Sequence, residues 1–542
     1  MIKSNTRYSR LVADAISLPF STDPAEAFEI AKKKLKKAGL PYDASVKYSV
    51  YRRSIDARRK DDIRFVYSIL VEVLDSIEID SKRLLTNGFR TDSVREIQFE
   101  FGKEKSLFRP IVVGCGPAGM FCALMLAEQG YRPILIERGE NLESRITSVE
   151  SFFNGGALNT ESNVMFGAGG AGTFSDGKLV TRINDPLCRF VIERLCDFGA
   201  PSEINYMAKP HIGTDLLQIV VGNLLQKVRD CGGDVFYNCR LDAIINNSDG
   251  SVTAKTSCGD ICGSAIVLAI GHSARDTYSY INKSGISMIA KSFSVGVRIE
   301  HLRSDIEFGL FGDHAGDPRL GAAEYALSDT KSGRGVYTFC MCPGGEVIAA
   351  ASEEGGIVVN GMSKHARDGV NSNSAVAVSV RPDDYDGSPM GAIEYQRMLE
   401  TKAFIIGGGN YSAPIETLGD YLRDNKSFLK TPDRVKPSYT RGICSVSDIS
   451  EVFPNYINDE LRRGLISFGK KLPGFDSSEA VLTAVESRTS APIRILRDEF
   501  GCSPENNLIY PCGEGAGYAG GITSAAVDGI KTALAIMKRF AP

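Results

Sequence analysis

The run Gly114-Cys-Gly-Pro-Ala-Gly119 has the Gly-x-Gly-x-x-Gly spacing that lets a main chain close around a pyrophosphate. Gly114 permits a tight strand-to-helix turn, Gly116 lets the backbone approach the diphosphate, and Gly119 lets helix and strand pack closely. Pro117 and Ala118 open a helix whose free N–H groups and positive dipole end favour phosphate. Glu137 stands 23 residues after Gly114, at the end of the apolar run Pro133-Ile-Leu-Ile-Glu. It is placed to accept hydrogen bonds from an adenosine ribose. Arg138 and Arg145, just beyond, are further candidates for cofactor contact. Strand, helix, strand and acid in register make an ordinary glycine-rich loop a poor account, so a bound dinucleotide is expected.

Two further glycine clusters suggest which dinucleotide. In Gly167-Ala-Gly-Gly-Ala-Gly-Thr-Phe-Ser-Asp-Gly-Lys178, the residues Gly169, Gly170, Gly172 and Gly177 let backbone lie flat against a ligand. Thr173, Ser175, Asp176 and Lys178 would then meet a flavin ring, where Lys178 stabilises negative charge on the reduced form. The plainer alternative is a flexible surface loop. The third cluster joins Gly513 and Glu514 to Gly520, Gly521 and Ile522, ahead of a helix expected over Ser524–Lys538. Glu514 is suited to holding a ribityl chain, unless this is only a glycine-rich helix start without a ligand. The buried strand Ala265–Gly271 ends at Gly271, beside the same site.

His211 and His272 lie in glycine-bounded turns and are candidate proton donors, although a histidine bonded within its own turn is the commoner outcome. Neither His-x-His nor His-x-x-x-His occurs, so no metal site is expected. Cys340 and Cys342 share one face of a strand. A redox dithiol is conceivable there, but inert packing is the favoured expectation without Cys-x-x-Cys geometry. Ile405-Ile-Gly-Gly-Gly-Asn-Tyr411 follows a helical pattern and reads as a helix end, not a second dinucleotide site. NAD(P)H is therefore expected to act only through a transient site, or another reductant serves.

Positioning these groups takes several elements. The 542 residues exceed one core and divide into three regions by pattern. Residues 1–104 read as a small N-terminal α/β domain, with a helix at Pro24–Ala38 and strands at Ser45–Arg52 and Arg64–Val73. Residues 105–290 plus 474–542 read as an FAD-type Rossmann domain of the glutathione-reductase-like nucleotide-binding kind. Residues 291–473 read as an inserted mixed α+β substrate or cap domain, expected to cover the flavin and form the substrate pocket. The overall class is α/β.

Composition narrows the function. A hydrophobic fraction of 43% and a net charge of −3 describe an ordinary globular chain without a basic field for nucleic acid or membrane. Thirteen cysteines without a regular framework suggest reduced, mostly buried thiols. Lys3, Arg7 and Arg10 are followed by Asp14 rather than an apolar core, and no run is long enough to span a bilayer, so a cytoplasmic protein is expected. The basic cluster Arg52–Lys60 is diluted by Asp56, Asp61 and Asp62, so a guarded strand edge is expected there rather than an RNA surface.

Gly169-Gly-Ala-Gly-Thr-Phe-Ser-Asp-Gly-Lys-Leu179, Lys209-Pro-His-Ile-Gly-Thr214 and Ala269-Ile-Gly-His-Ser-Ala-Arg-Asp276 resemble bacterial FAD-dependent proteins known as NAD(FAD)-utilising dehydrogenases. Phe339-Cys-Met-Cys-Pro-Gly-Gly345, Glu486-Ser-Arg-Thr-Ser490, Pro511-Cys-Gly-Glu-Gly-Ala-Gly-Tyr-Ala-Gly520 and Ser54-Ile-Asp-Ala-Arg58 match too, so the resemblance covers nearly the whole chain. It implies FAD and the oxidoreductase class, and brings no substrate. The leading expectation is an FAD-dependent oxidoreductase acting on a small molecule. The alternatives are a flavin-dependent RNA-modifying or RNA-binding protein, and a non-catalytic flavin-binding protein.

Overall fold

The computed structural model describes residues 8–40, 46–74, 80–92, 97–105, 107–423 and 429–542. Lys3, Arg7 and Ser45 lie outside them. A five-stranded parallel sheet carries the glycine turns, in the order Ile509–Pro511, Ile266–Leu268, Ile111–Val113, Ile134–Ile136, Asp234–Phe236. Its strands are short β-branched runs, and the central Ile111–Val113 and Ile266–Leu268 are wholly buried, as expected where helices cover a parallel sheet. Helix Pro117–Glu128 is apolar on every side and buried from Ala118 to Ala127. It packs against Ile522–Arg539 and Thr214–Asp230, the arrangement of a central rather than an amphipathic surface helix.

A second, seven-stranded sheet is built from residues 293–486 and the edges they recruit. Its order is Ser328–Asp329, Val336–Cys342, Asn371–Val380, Phe293–Leu302, Val481–Glu486, Ala413–Thr417, Cys444–Val446. The long pair Phe293–Leu302 and Asn371–Val380 runs antiparallel through its centre, with Val295, Val297, Val376 and Val378 fully buried. Helix Pro389–Ile406 flanks this sheet and ends into Gly407, Gly408 and Gly409, so the tempting Ile405–Tyr411 glycines form a helix terminus.

The N-terminal residues form a four-stranded sheet in the order Lys47–Asp56, Arg64–Leu74, Tyr8–Pro19, Phe89–Thr91, with helix Ala25–Lys37 against it. The twelve-residue strand Tyr8–Pro19 has no counterpart in the sequence expectations, because Asp14 interrupts its apolar run. A register shift between Ala13 and Ile16, with Ala15 at φ 58°, absorbs the interruption. Asp14 then accepts from Ser68 Oγ at 2.6 Å and from Arg90 Nε at 2.7 Å. In the basic cluster, Arg58 pairs with Asp56 and Arg59 with Asp61.

The cysteines need a correction. Cys239 and Cys258 form a disulfide between the chain leading into Leu241–Asn246 and the turn before Gly259–Gly263. Only tertiary structure brings residues 19 positions apart to a Cα separation of 5.5 Å. Five of the eleven free cysteines are buried, fewer than expected. No helix among the described residues is long and apolar enough to cross a membrane.

Candidate cofactor-binding cavity

The two large sheets meet at a cavity of about 310 Å³, within the range of small-molecule sites. Its first wall comes from the parallel sheet. Gly114 turns the chain after Ile111–Val113 at φ 99°, and an added Cβ would lie 2.3 Å from Ala269 O, so only glycine fits. Gly119 is equally tight, 1.9 Å from Gly114 O. Gly116 differs: a Cβ there would meet only Gly170 Cα, at 3.9 Å. Gly271, Gly520 and Gly521 have nothing within 4 Å. Bare backbone therefore faces open cavity where a ligand needs close approach, and the helices starting at Pro117 and Ile522 both open onto it.

Glu137 is buried and its carboxylate is shared three ways. Oε1 accepts from Gly139 N at 3.0 Å and Gly167 N at 2.9 Å, and Oε2 accepts from Cys115 N at 2.8 Å. The acid thus ties the first glycine turn to the second, leaving one of its roughly four acceptor positions toward the cavity. Glu514 is the opposite case. It lines the cavity, and among the described residues its carboxylate accepts no hydrogen bond. Burial raises its pKa to about 7, against the pull of Lys291. A desolvated acid with both oxygens free is what a row of ligand hydroxyls requires. Open glycine backbone, two helix N-termini and this acid fit a flavin dinucleotide.

The second wall comes from the seven-stranded sheet and its neighbours: Phe339, Cys340, Asn360, Arg488 and Thr489. Arg488 is 5% exposed and gives both sides of its guanidinium to Glu400, Nε to Oε1 at 3.0 Å and Nη2 to Oε2 at 2.8 Å. Arg275 binds the same carboxylate at 2.7 and 2.8 Å. Burial opposes the Glu400 charge, but the two arginines outweigh it and hold its pKa far below the usual range.

Lys178 lines the cavity, yet its ammonium is held by Asp176 Oδ2 at 2.7 Å and Glu324 Oε1 at 3.2 Å. Burial disfavours its charge, and these carboxylates more than restore it. His272 also lines the cavity, with Nδ1 2.9 Å from Ser273 Oγ. Burial, then Arg488 and Arg275, lower its pKa to about 4, so it is neutral near pH 7. His211 is not brought to the cavity. It stacks on His365 at 5.2 Å, its Nε2 lies 3.1 Å from His365 O, and burial lowers its pKa to about 4.

Of the other anticipated residues, Pro117, Ala118, Arg138, Gly170, Gly172, Ser175, Asp176, Gly177 and Ile522 line the cavity. Arg138 does so with its guanidinium bound to Glu161 and Asp276. Gly119, Arg145, Gly169, Thr173 and Gly513 stand behind the lining. Arg145 is fully buried and donates to the carbonyls of Asn163, Val164, Gly167 and Ala168, so it shapes the second glycine loop from behind. Sequence reasoning missed Arg240, Asn360 and Arg488 in the lining. Arg488 lay inside a quoted motif, but its partner Glu400 is 88 positions away, beyond any local signal. Among the described residues, no cluster of His, Cys, Asp or Glu could hold a metal ion.

Comparison with known proteins agrees with this geometry. A family described as FAD-dependent protein, C-terminal domain-like, matches residues 292–489. An FAD binding domain matches residues 109–169, and a domain of unknown function matches residues 15–72. An uncharacterized protein of Clostridium beijerinckii is 46% identical over 516 residues, covering 94% of this chain and 96% of that one. Glycine oxidase from Geobacillus kaustophilus aligns at 9% identity and a TM-score of 0.33, over 79% of this chain and 93% of that one. L-amino acid deaminase from Proteus vulgaris aligns at 12% identity and a TM-score of 0.24, over 38% and 63%. Likenesses to solved structures this distant say nothing about activity.

Proposed function

This chain belongs to the same family as the clostridial protein, a family of FAD-dependent proteins, and from that premise we propose an FAD-dependent oxidoreductase that acts on a small molecule. The observation that carries the reading is a single cavity walled on one side by glycine turns and helix N-termini and on the other by the seven-stranded sheet. In that role residues 291–473 supply the substrate wall. When bound, FAD supplies a group that accepts or donates two electrons as a hydride equivalent. Backbone N–H groups around Gly116 and at the Ile522 helix start hold the pyrophosphate. Glu514 takes ribityl hydroxyls, and Glu137 takes an adenosine hydroxyl on its remaining acceptor position. Lys178 sets a positive charge beside the flavin, moderated by Asp176 and Glu324. His272, neutral and bonded to Ser273, relays a proton rather than carrying a charge.

The electron donor in this reading is NADH or NADPH, visiting the open cavity without a second dinucleotide fold. Purified protein should be yellow and release FAD rather than FMN on denaturation, and anaerobic NADH or NADPH should bleach it. Release of FMN alone, or no flavin after reconstitution, would sink the cofactor assignment. A bound flavin that neither nucleotide reduces would remove the dehydrogenase part.

A further inference from the structure

We propose that Cys340 and Cys342 are a redox-active thiol pair that exchanges two electrons with the bound flavin and presents Cys340 to a thiol or disulfide substrate. This deepens the function proposed above and rests on it. The starting observation is a break in a strand. Val336–Cys342 pairs with Asn371–Val380, and the register moves from Phe339 opposite Ala375 to Cys342 opposite Asn373. One extra residue is bulged on the outer strand, and bulges re-aim side chains. Cys340 has φ 45°, a left-handed conformation that non-glycine residues rarely hold. Such strain persists only where its surroundings fix it.

Arg298 does the fixing. It is fully buried, and its Nη1 and Nη2 donate to Cys340 O at 3.1 and 3.2 Å. Glu486 and Asn373 anchor the guanidinium in turn, at 3.0 and 2.6 Å. The consequence is an asymmetric pair. Cys340 lines the cavity together with Lys178 and His272, whereas Cys342 is fully buried. Phe339, 43% exposed, and Val180, 57% exposed, stand in the same lining and leave Cys340 reachable from solvent. The bulge interrupts regular alternation, and only Met341 separates the two cysteines in the chain. Cys342 Sγ lies 3.4 Å from Cys340 O, to which its thiol donates.

Charge completes the asymmetry. The neighbouring Cys342 thiol is the largest influence on Cys340, and Arg298 and Lys178 add to it. Burial, Asp176 and Glu486 pull the other way. The outcome is a Cys340 pKa of about 6 and a Cys342 pushed up. The accessible member is the thiolate and the buried member keeps its proton, the division of labour between an attacking and a resolving sulfur.

The step balances. One S–S bond forms between Cys340 and Cys342 while the S–H bond of Cys342 breaks. The pair loses two electrons and one proton, and oxidised FAD takes up all three as its anionic reduced form. Run in reverse, the pair is returned to thiolate and thiol, ready to exchange with a substrate disulfide through Cys340.

The test uses FAD-loaded protein, wild type, Cys340→Ser and Cys342→Ser, titrated anaerobically with dithionite. Oxidised wild type should take up twice the reducing equivalents per FAD of either variant. The peptide spanning both cysteines should be recovered with an internal disulfide from oxidised protein and without one after reduction. Equal uptake by all three proteins with FAD bound overturns the thiol pair and leaves the flavin reading standing. A wild-type flavin that takes up no electrons overturns the flavin reading, and the pair with it. Should a serine variant fail to fold, pulse alkylation of reduced wild type across pH needs no variant. Cys340 labelling with a midpoint near 6 and Cys342 protected supports the pair. An ordinary thiol midpoint of about 8.5, or equal labelling of both, overturns it.

Discussion

The two walls of the cavity are made by opposite uses of polar groups. On the parallel-sheet side, Gly116, Gly271, Gly520 and Gly521 leave open space beside their backbone, and the carboxylate of Glu514 accepts no hydrogen bond among the described residues. On the seven-stranded side, Arg488, Arg275 and Glu400 are consumed by one another, as Lys178 and Arg367 are by Asp176 and Glu324. One wall keeps its hydrogen-bonding capacity for a ligand, and the other spends it on its own geometry. Damage to the first should therefore cost binding, and damage to the second should cost stability.

The largest effect should come from the self-satisfied wall. Glu400→Ala removes the buried carboxylate that both guanidiniums bind and leaves them Glu353 alone, at a cost of about 3 kcal/mol. Urea unfolding of the variant reads this directly. A loss below about 1 kcal/mol would mean that Glu353 or solvent stands in for Glu400, and the comparison fails.

Gly116→Val should do the reverse. A Cβ has room at this position, and the branched side chain fills the space a pyrophosphate needs. FAD affinity should fall by more than about 100-fold, roughly 3 kcal/mol, with the apoprotein's unfolding midpoint little changed. Gly114→Ala is the control, because its Cβ would strike Ala269 O and lower stability itself. Full FAD occupancy in Gly116→Val would show that this turn is not the phosphate site.

A smaller, pH-dependent effect separates the two acids. Burial raises Glu514 to about 7, so the folded apoprotein holds that proton more tightly than the unfolded chain does. Its stabilising contribution is complete below the ordinary carboxylate range, near 4.5, and is lost as pH rises to about 7. Glu514→Gln removes this loss. Relative to wild type, the apoprotein variant should become progressively more stable across that window and level off above it. Parallel stability profiles for the two proteins would show that Glu514 is not desolvated.

Lys178→Met should be the mildest change. Asp176 keeps Arg367 as a partner, and the lysine charge is already offset by two carboxylates. Flavin reduction should slow by no more than about tenfold, or about 1.4 kcal/mol, with FAD still bound. If rate and potential are both unchanged, Lys178 serves only the loop.

What the sequence determined by itself was the phosphate side of the molecule. Gly114, Gly116, Gly119 and Glu137 are separated by one strand, one turn and one helix, and their meeting follows from backbone geometry over a few dozen residues. The strands Leu241–Asn246 and Val252–Thr256 were legible for the same reason, as strand-like runs bounded by Gly, Asn or Asp. The tertiary structure alone decided what each polar group finds when it arrives. It spends Glu137 on three N–H groups, leaves Glu514 bare, removes His211 from the cavity and couples Arg488 to a glutamate 88 residues away. It also bulges the strand at Cys340, which period-two alternation cannot signal because the extra residue is held by Arg298 from a different strand. Local pattern fixes which elements form and which face each presents, since those depend on neighbours in the chain. Charge, hydrogen bonding and exposure are settled by neighbours in space, and the sequence does not order those by distance.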